Sequence, residues 1–200
     1  MAAVVTDQFR ISNANNFVDS VSNTSNSYYV FLGLPNPSNP VSGFGRTTSD
    51  NEWSTNTPVP IDNLQFNSHF RDTALFGKKV TTSNVRRLIR KVSWSSNTRY
   101  DMYRHDYSII NPAPNSNLSR LYDSNYYVIT DEFKVYICIE NGTSGINPTV
   151  PASTLKPTHT DIEPVLYSDG YKWKFLFKMP PSDVIKFDST EFLIVPNNWE

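Results

Sequence analysis

The chain has 200 residues, a formal net charge of -1 and a sequence pI of about 6.3. A protein that neutralises nucleic-acid phosphates needs a surplus of Lys and Arg, so this charge balance argues against a nucleic acid as partner. The single cysteine, Cys138, excludes an internal disulfide, and its place between two isoleucines predicts a buried structural thiol. No stretch is long and apolar enough for a transmembrane helix, so we expect no membrane insertion.

The N-terminal region predicts a helix followed by a strand. Phe9, Phe17 and Val21 lie at multiples of four residues, which predicts a helix of about ten residues whose apolar stripe docks on a sheet. We therefore place Phe17 in the core. The segment from Tyr28 to Leu34 predicts a buried strand, which Pro35 ends.

Residues 36–60 predict a long surface loop, because they are rich in Pro, Ser, Asn, Gly and Thr and lack apolar periodicity. Phe44 and Trp53 in this loop are candidate contacts with a partner. Trp53 could bind a glycan or a protein, and we favour the protein. After the loop, Asp62 is predicted to cap a second helix that ends at Gly77.

A basic segment, residues 86–92, follows the second helix. It predicts either the edge of a strand or helix with solvated charges, or a patch that binds an acidic protein neighbour. The first interpretation is favoured. The candidate contacts under the second are Arg86, Arg87 and Arg90.

The second half of the chain is rich in β-strand patterns. Residues 126–130 and 134–140 flank the turn-forming pair Asp131-Glu132 and predict a hairpin. The second strand is apolar on both faces, so we expect it at the centre of a sheet. Asn141-Gly142 predicts a turn with positive φ. Four prolines predict a loop over residues 143–164.

The most regular pattern is an alternation of aromatic and lysine residues that begins after Asp169-Gly170 and ends at Pro180-Pro181. It predicts a strand with its rings on one buried face and its lysines on the other. A helical turn at Ser182 or Asp183 and a buried strand over residues 191–195 should follow. The predicted core residues of this region are Tyr171, Trp173, Phe175, Phe177 and Ile194.

The candidates for chemistry are weak. His159, Asp161 and Glu163 alternate and could hold a metal, but a solvated loop explains this Thr- and Pro-rich stretch better. His105 stands beside Asp106 without an accompanying nucleophile motif. We therefore predict no catalytic residues, no metal and no cofactor. A carbohydrate-binding module and a metal-dependent hydrolase remain as alternatives, and the second is the weaker.

These elements predict an α+β, β-dominated fold. We expect antiparallel sheets in a layered or sandwich arrangement, with two or three short helices and long polar loops. The expected domains are residues 1–91, an α/β layer carrying the loop at 36–60, and residues 92–200, a β-rich domain.

Several short blocks occur in an order that resembles one protein family. They are residues 6–10, 16–20, 94–100, 126–129, 169–177 with Pro180-Pro181, and 194–196. Their order and spacing resemble those of the corresponding blocks in the baseplate wedge subunit, the gene-eight product, of T-even-like contractile-tailed bacteriophages. The blocks at 94–100 and 169–181 are the most specific.

The resemblance implies a non-enzymatic structural subunit of the virion, located in the tail baseplate and assembled in the host cytoplasm. It further implies a homodimer that joins other baseplate wedge proteins and rearranges with the baseplate during infection. No catalytic residue is carried over. Relatives in that family continue beyond the equivalent of Pro196, so we expect this chain to be shortened or to be part of a longer one.

Overall fold

The structure, a computed structural model, describes residues 7–32, 74–143 and 149–196. The chain forms two compact units: the N-terminal unit, residues 11–85, and the sheet unit, residues 1–10 with 86–200. The sequence placed the division at 91–92; residues 86–91 join the sheet unit because a strand there pairs near the C-terminus. The fold is β-dominated with antiparallel sheets, and the described residues contain two α-helices, as predicted.

The N-terminal unit contains residues 11–22 of a helix and a two-stranded sheet. Helix α1 spans Asp7–Ser22, which confirms the predicted helix and lengthens it to 16 residues. Strands β1, Tyr28–Leu32, and β2, Phe76–Val80, pair antiparallel. A 3-10 turn over Thr82–Asn84 follows.

Three predictions for this unit are wrong. Strand β1 is not buried: its residues are 37% to 58% exposed, because the sheet has two strands and no third layer of described residues covers it. For the same reason Phe17, predicted as core, is 49% exposed and packs edge-on against the Tyr28 ring at 5.7 Å. The second helix does not reach Gly77, because Phe76 and Gly77 belong to β2. The earlier part of that predicted helix lies outside the described residues.

The sheet unit contains the remaining elements. Its main sheet has four strands in the order β4-β5-β7-β6, all antiparallel, and a second sheet pairs β3 with β8. The strands are β3 Arg87–Arg90, β4 Tyr127–Ile129, β5 Lys134–Asn141, β6 Val165–Leu166, β7 Tyr171–Lys178 and β8 Phe192–Val195. Helix α2 is Pro181–Phe187, and a 3-10 turn spans Leu121–Asp123.

Two apolar clusters lie on opposite faces of the main sheet. Adjacent residues of β4 and β5 point to opposite faces, so Val128 and Ile129 fall in different clusters. Cluster 2 also holds Leu193 and Ile194 of β8, so one face of the main sheet packs against the second sheet. The fully buried members of cluster 1 are Tyr100, Val128, Tyr136, Cys138, Val150, Tyr171 and Trp173.

A β-bulge in β7 changes the face of the sheet to which the alternate side chains of the strand point. Tyr136 pairs with Phe175 and Val135 pairs with Phe177, so Leu176 has no partner opposite it. Phe175 therefore packs on cluster 1, whereas Phe177 packs on cluster 2. The prediction that all four rings share one face is correct for three of them and wrong for Phe177.

Other predictions for the sheet unit are confirmed. β4 and β5 form the hairpin, and β5 is central because it pairs with both β4 and β7. Gly142 has φ +74, as the turn pattern requires. Cys138 is buried, and burial raises the pKa of its thiol well above its usual range.

Candidate protein-contact surfaces

Two of the three arginines predicted to contact a partner, Arg86 and Arg90, bind groups within the sheet unit. Arg86 donates two hydrogen bonds of 2.8 Å to the Asp183 carboxylate, and its guanidinium lies 5.3 Å from the Phe187 ring centroid. This arrangement fastens α2 to the start of β3. As an arginine fork binding a carboxylate through two N–H groups, it is a strong and specific pair. Arg86 is therefore a structural residue.

Arg90 is also a structural residue. Its guanidinium donates to Asn125 Oδ1 at 2.8 Å and to the carbonyls of Asp123 and Ser124 at 3.0 and 2.9 Å. Arg87, which completes the predicted basic patch, lies half-buried on β3 opposite Val195. The strand in the favoured interpretation of the basic segment is confirmed by β3, but Arg86 and Arg90 are half-buried and hydrogen-bonded rather than solvated. A partner contact through this segment stays a prediction. The other two predicted contacts, Phe44 and Trp53, lie outside the described residues.

Among the described residues, the two most exposed apolar side chains form a tip that the sequence analysis did not identify. Ser108 and Asn111 exchange two backbone hydrogen bonds of 3.1 Å, which leaves Ile109 and Ile110 at the end of a tight turn. Ile109 is 89% exposed and Ile110 is 95% exposed. Turn positions favour Asn, Asp, Ser and Gly. The sequence signal that could have indicated this tip was therefore a pair of isoleucines at the centre of a turn, between Ser108 and Asn111.

Residues at the base of this tip hold it in place. Arg104 binds both carboxylate oxygens of Asp106 at 3.0 and 2.9 Å, and Asn111 Nδ2 donates to Asp106 Oδ2 at 2.8 Å. The Arg104 guanidinium keeps the pKa of Asp106 below its usual range. The Tyr107 hydroxyl donates to the Met102 carbonyl, and burial raises the pKa of Tyr107 to about 12. The isoleucines therefore stand on an ordered base.

The N-terminal unit carries a second apolar surface. Tyr29 and Phe31 stack on one face of the β1–β2 sheet, with ring centroids 6.3 Å apart, and the Phe31 ring covers Gly77 so closely that an added Cβ would lie 2.8 Å from it. The opposite face and α1 border an open groove of about 330 Å³. Its lining includes Phe17, Val30, Phe76, Lys78, Val80 and Val85.

The candidate chemical residues do not assemble into a reactive site. His159 Nδ1 lies 2.9 Å from the Tyr167 hydroxyl, while Asp161 and Glu163 are exposed. Burial lowers the pKa of His159. Across residues 7–32, 74–143 and 149–196, no three His, Cys, Asp or Glu side chains are placed to share a metal ion. Asp106, beside His105, is bound to Arg104.

None of the helices in the described part of the chain has the length and hydropathy to cross a membrane. Comparison with known proteins finds no family model and no curated protein that matches this chain.

Proposed function

We propose that this chain is a structural subunit that works by binding other proteins, and that its assembly is a contractile-tail baseplate wedge in a phage virion. The observation that carries the binding role is the Ile109-Ile110 tip, which exposes two large apolar side chains on an ordered turn. A patch formed by adjacent exposed apolar side chains marks a contact site, whereas a single exposed apolar residue is normal on a protein surface. The baseplate assignment is supported by the ordered sequence blocks of the resemblance, and the proposed partners are a second copy and other wedge proteins.

The free energy gained by burying the two isoleucines of the tip is sufficient for such a role. Burying one isoleucine side chain contributes about 1.5–3 kcal/mol, so the pair contributes about 3–6 kcal/mol at the centre of an interface. Since about 1.4 kcal/mol changes a dissociation constant tenfold, the pair can strengthen binding by about two to four orders of magnitude. Little of this is lost to ordering, because the turn is already held by Asp106, Tyr107 and Asn111.

The charges around the tip fit a protein partner better than a lipid surface. Arg104 and Asp106 neutralise each other at its base. The tip sequence, residues 107–111, contains no lysine or arginine that would attract an anionic membrane.

The test is the double substitution Ile109→Ser with Ile110→Ser. Both side chains are nearly fully exposed, so we expect an unchanged folded state and at least about tenfold weaker assembly. Co-expression with the other subunits of its own baseplate, followed by size-exclusion chromatography, measures assembly.

Ile162→Ser with Ile185→Ser is the matched control, because those isoleucines are 77% and 86% exposed and lie singly on other elements, before β6 and on α2. The control should assemble as the wild type does. Unchanged assembly of the tip variant, or equal loss in the control, contradicts the proposal.

A further inference from the structure

The sheet unit contains a groove of about 300 Å³ that is separate from the tip. This volume is at the lower end of the range found for small-molecule sites, about 300–1,000 Å³. We call it the Trp94 groove, and the side chains used below are Lys91, Ser93, Trp94, Asp131, Phe133 and Asp188, all of which line it.

Two half-buried aromatic residues line the Trp94 groove, and both are held in place. Trp94 N–H donates to the Ile129 carbonyl at 2.9 Å, and its indole Nε1–H donates to Ser153 Oγ at 3.3 Å. Phe133 has φ +58, a left-handed conformation that a bulky residue rarely adopts. Gly or Asn would fit that turn without strain, so Phe133, which also packs on cluster 2, occupies the turn at a cost in backbone strain. Such outliers cluster at binding sites.

The charged groups of the groove are already paired. Lys91 Nζ donates to Asp188 Oδ1 at 2.7 Å and to the Ser189 carbonyl at 2.8 Å. Both oxygens of Asp131 accept from Lys156 Nζ, at 2.8 and 3.1 Å. A charged ligand would have to displace one of these lysines or carboxylates. The groove therefore favours a ligand without net charge.

The groove nevertheless offers unused hydrogen-bonding groups. Within the described part of the chain, Ser93 Oγ and Asp188 Oδ2 accept or donate no hydrogen bond, and Lys91 has one of its three N–H groups free. These groups line the same groove as the two aromatic rings. A ligand that fits must combine an apolar face with neutral hydroxyl groups.

We propose that the Trp94 groove binds a neutral saccharide. A pyranose ring has an apolar C–H face that packs on aromatic rings, here Trp94 and Phe133, and its hydroxyls bind Ser93, Asp188 and Lys91. This inference is independent of the proposed assembly role, because the groove and the Ile109-Ile110 tip share no residue.

The experiment applies the purified chain to an array of neutral and acidic glycans, and then titrates the strongest neutral glycan by calorimetry at low and high salt. We expect a neutral glycan to bind with an affinity that changes less than about twofold with salt, because no ion pair forms with the ligand.

Two variants locate the binding site. Ser93→Tyr fills the groove from an exposed position, and Phe133→Asn removes a ring while keeping a residue that tolerates the left-handed turn. Each should weaken glycan binding at least tenfold. Tyr122→Asn, which removes a half-exposed ring that does not line the groove, should bind as the wild type does.

Ser93→Tyr decides the result if Phe133→Asn fails to fold. The inference is overturned if no glycan binds, if Ser93→Tyr binds as the wild type does, or if only acidic glycans bind and high salt abolishes their binding.

Discussion

Asp169, in the β6–β7 turn, holds the loop at residues 153–155 to that turn. Replacing the Asp169 side chain tests whether it has this anchoring role. Its Oδ2 accepts from the Thr154 and Leu155 N–H groups at 2.9 and 3.0 Å and from Ser153 Oγ at 3.2 Å. Its Oδ1 accepts from the Tyr171 N–H at 3.2 Å. One carboxylate thus satisfies three backbone donors and one hydroxyl.

The loss of stability expected for Asp169→Ala follows from these four hydrogen bonds. A hydrogen bond to a charged group contributes about 1.5–3 kcal/mol, but Thr154 and Leu155 are exposed, so water replaces part of what is lost. We expect the free energy of unfolding to fall by about 3 kcal/mol. Asp169→Asn keeps one acceptor oxygen for the Thr154 and Leu155 donors and loses the longer bond to Tyr171, so it should cost about 1 kcal/mol.

Urea unfolding followed by tryptophan fluorescence measures both variants, because Trp173 is fully buried two residues beyond Tyr171. A loss of about 3 kcal/mol should also lower Tm by about 6–12 °C. Glu163→Ala is the control, since Glu163 is exposed and makes no hydrogen bond or ion pair with the described residues. If Asp169→Ala costs no more than Glu163→Ala, the anchoring role of Asp169 is wrong.

Two further predictions concern His159 and the bulge on β7. Burial lowers the pKa of His159 in the folded state, because it disfavours the charged imidazolium. The folded state therefore has its full stability above about pH 6.5, the usual pKa of histidine, and loses part of it as the pH falls through the folded-state pKa. His159→Gln should flatten the stability profile between about pH 7 and 5 in urea titrations; an unchanged slope contradicts this. Deleting the unpaired bulge residue Leu176 leaves its neighbours on their present faces, so it should lower the free energy of unfolding by only about 1–2 kcal/mol. Deleting Lys174 instead turns Trp173 out of cluster 1, so it should unfold the sheet unit. Circular dichroism distinguishes the two deletions, and equal damage from both would refute the bulge argument.

The sequence predicted those parts of the fold that depend on neighbouring residues. The period-two alternation placed a strand at β7, and Asp131-Glu132 placed the β4–β5 hairpin. Pro180-Pro181 marked the end of that strand, and α2 starts at Pro181. Each of these signals acts within a few residues, since backbone dihedral preferences and alternating side-chain direction are local properties.

The candidate contact surfaces were predicted less well, because exposure is not a local property. The apolar run Tyr28–Leu32 and the pair Ile109-Ile110 are both apolar in sequence, and burial was expected for the first. Whether an apolar residue is covered depends on which segments fold against it. The tip and the Trp94 groove therefore became visible only in the structure.

By itself, the sequence of this protein determined that it is β-dominated, where several strands and turns lie, and that Cys138 is a buried thiol. The tertiary structure decided that Arg86 binds Asp183, 97 residues away, and that the Leu176 bulge sends Phe177 to the second cluster. It also decided that residues 86–91 belong with the C-terminal strands. The physical reason is that ion pairs, strand register and burial are set by partners distant along the chain, which no local pattern specifies.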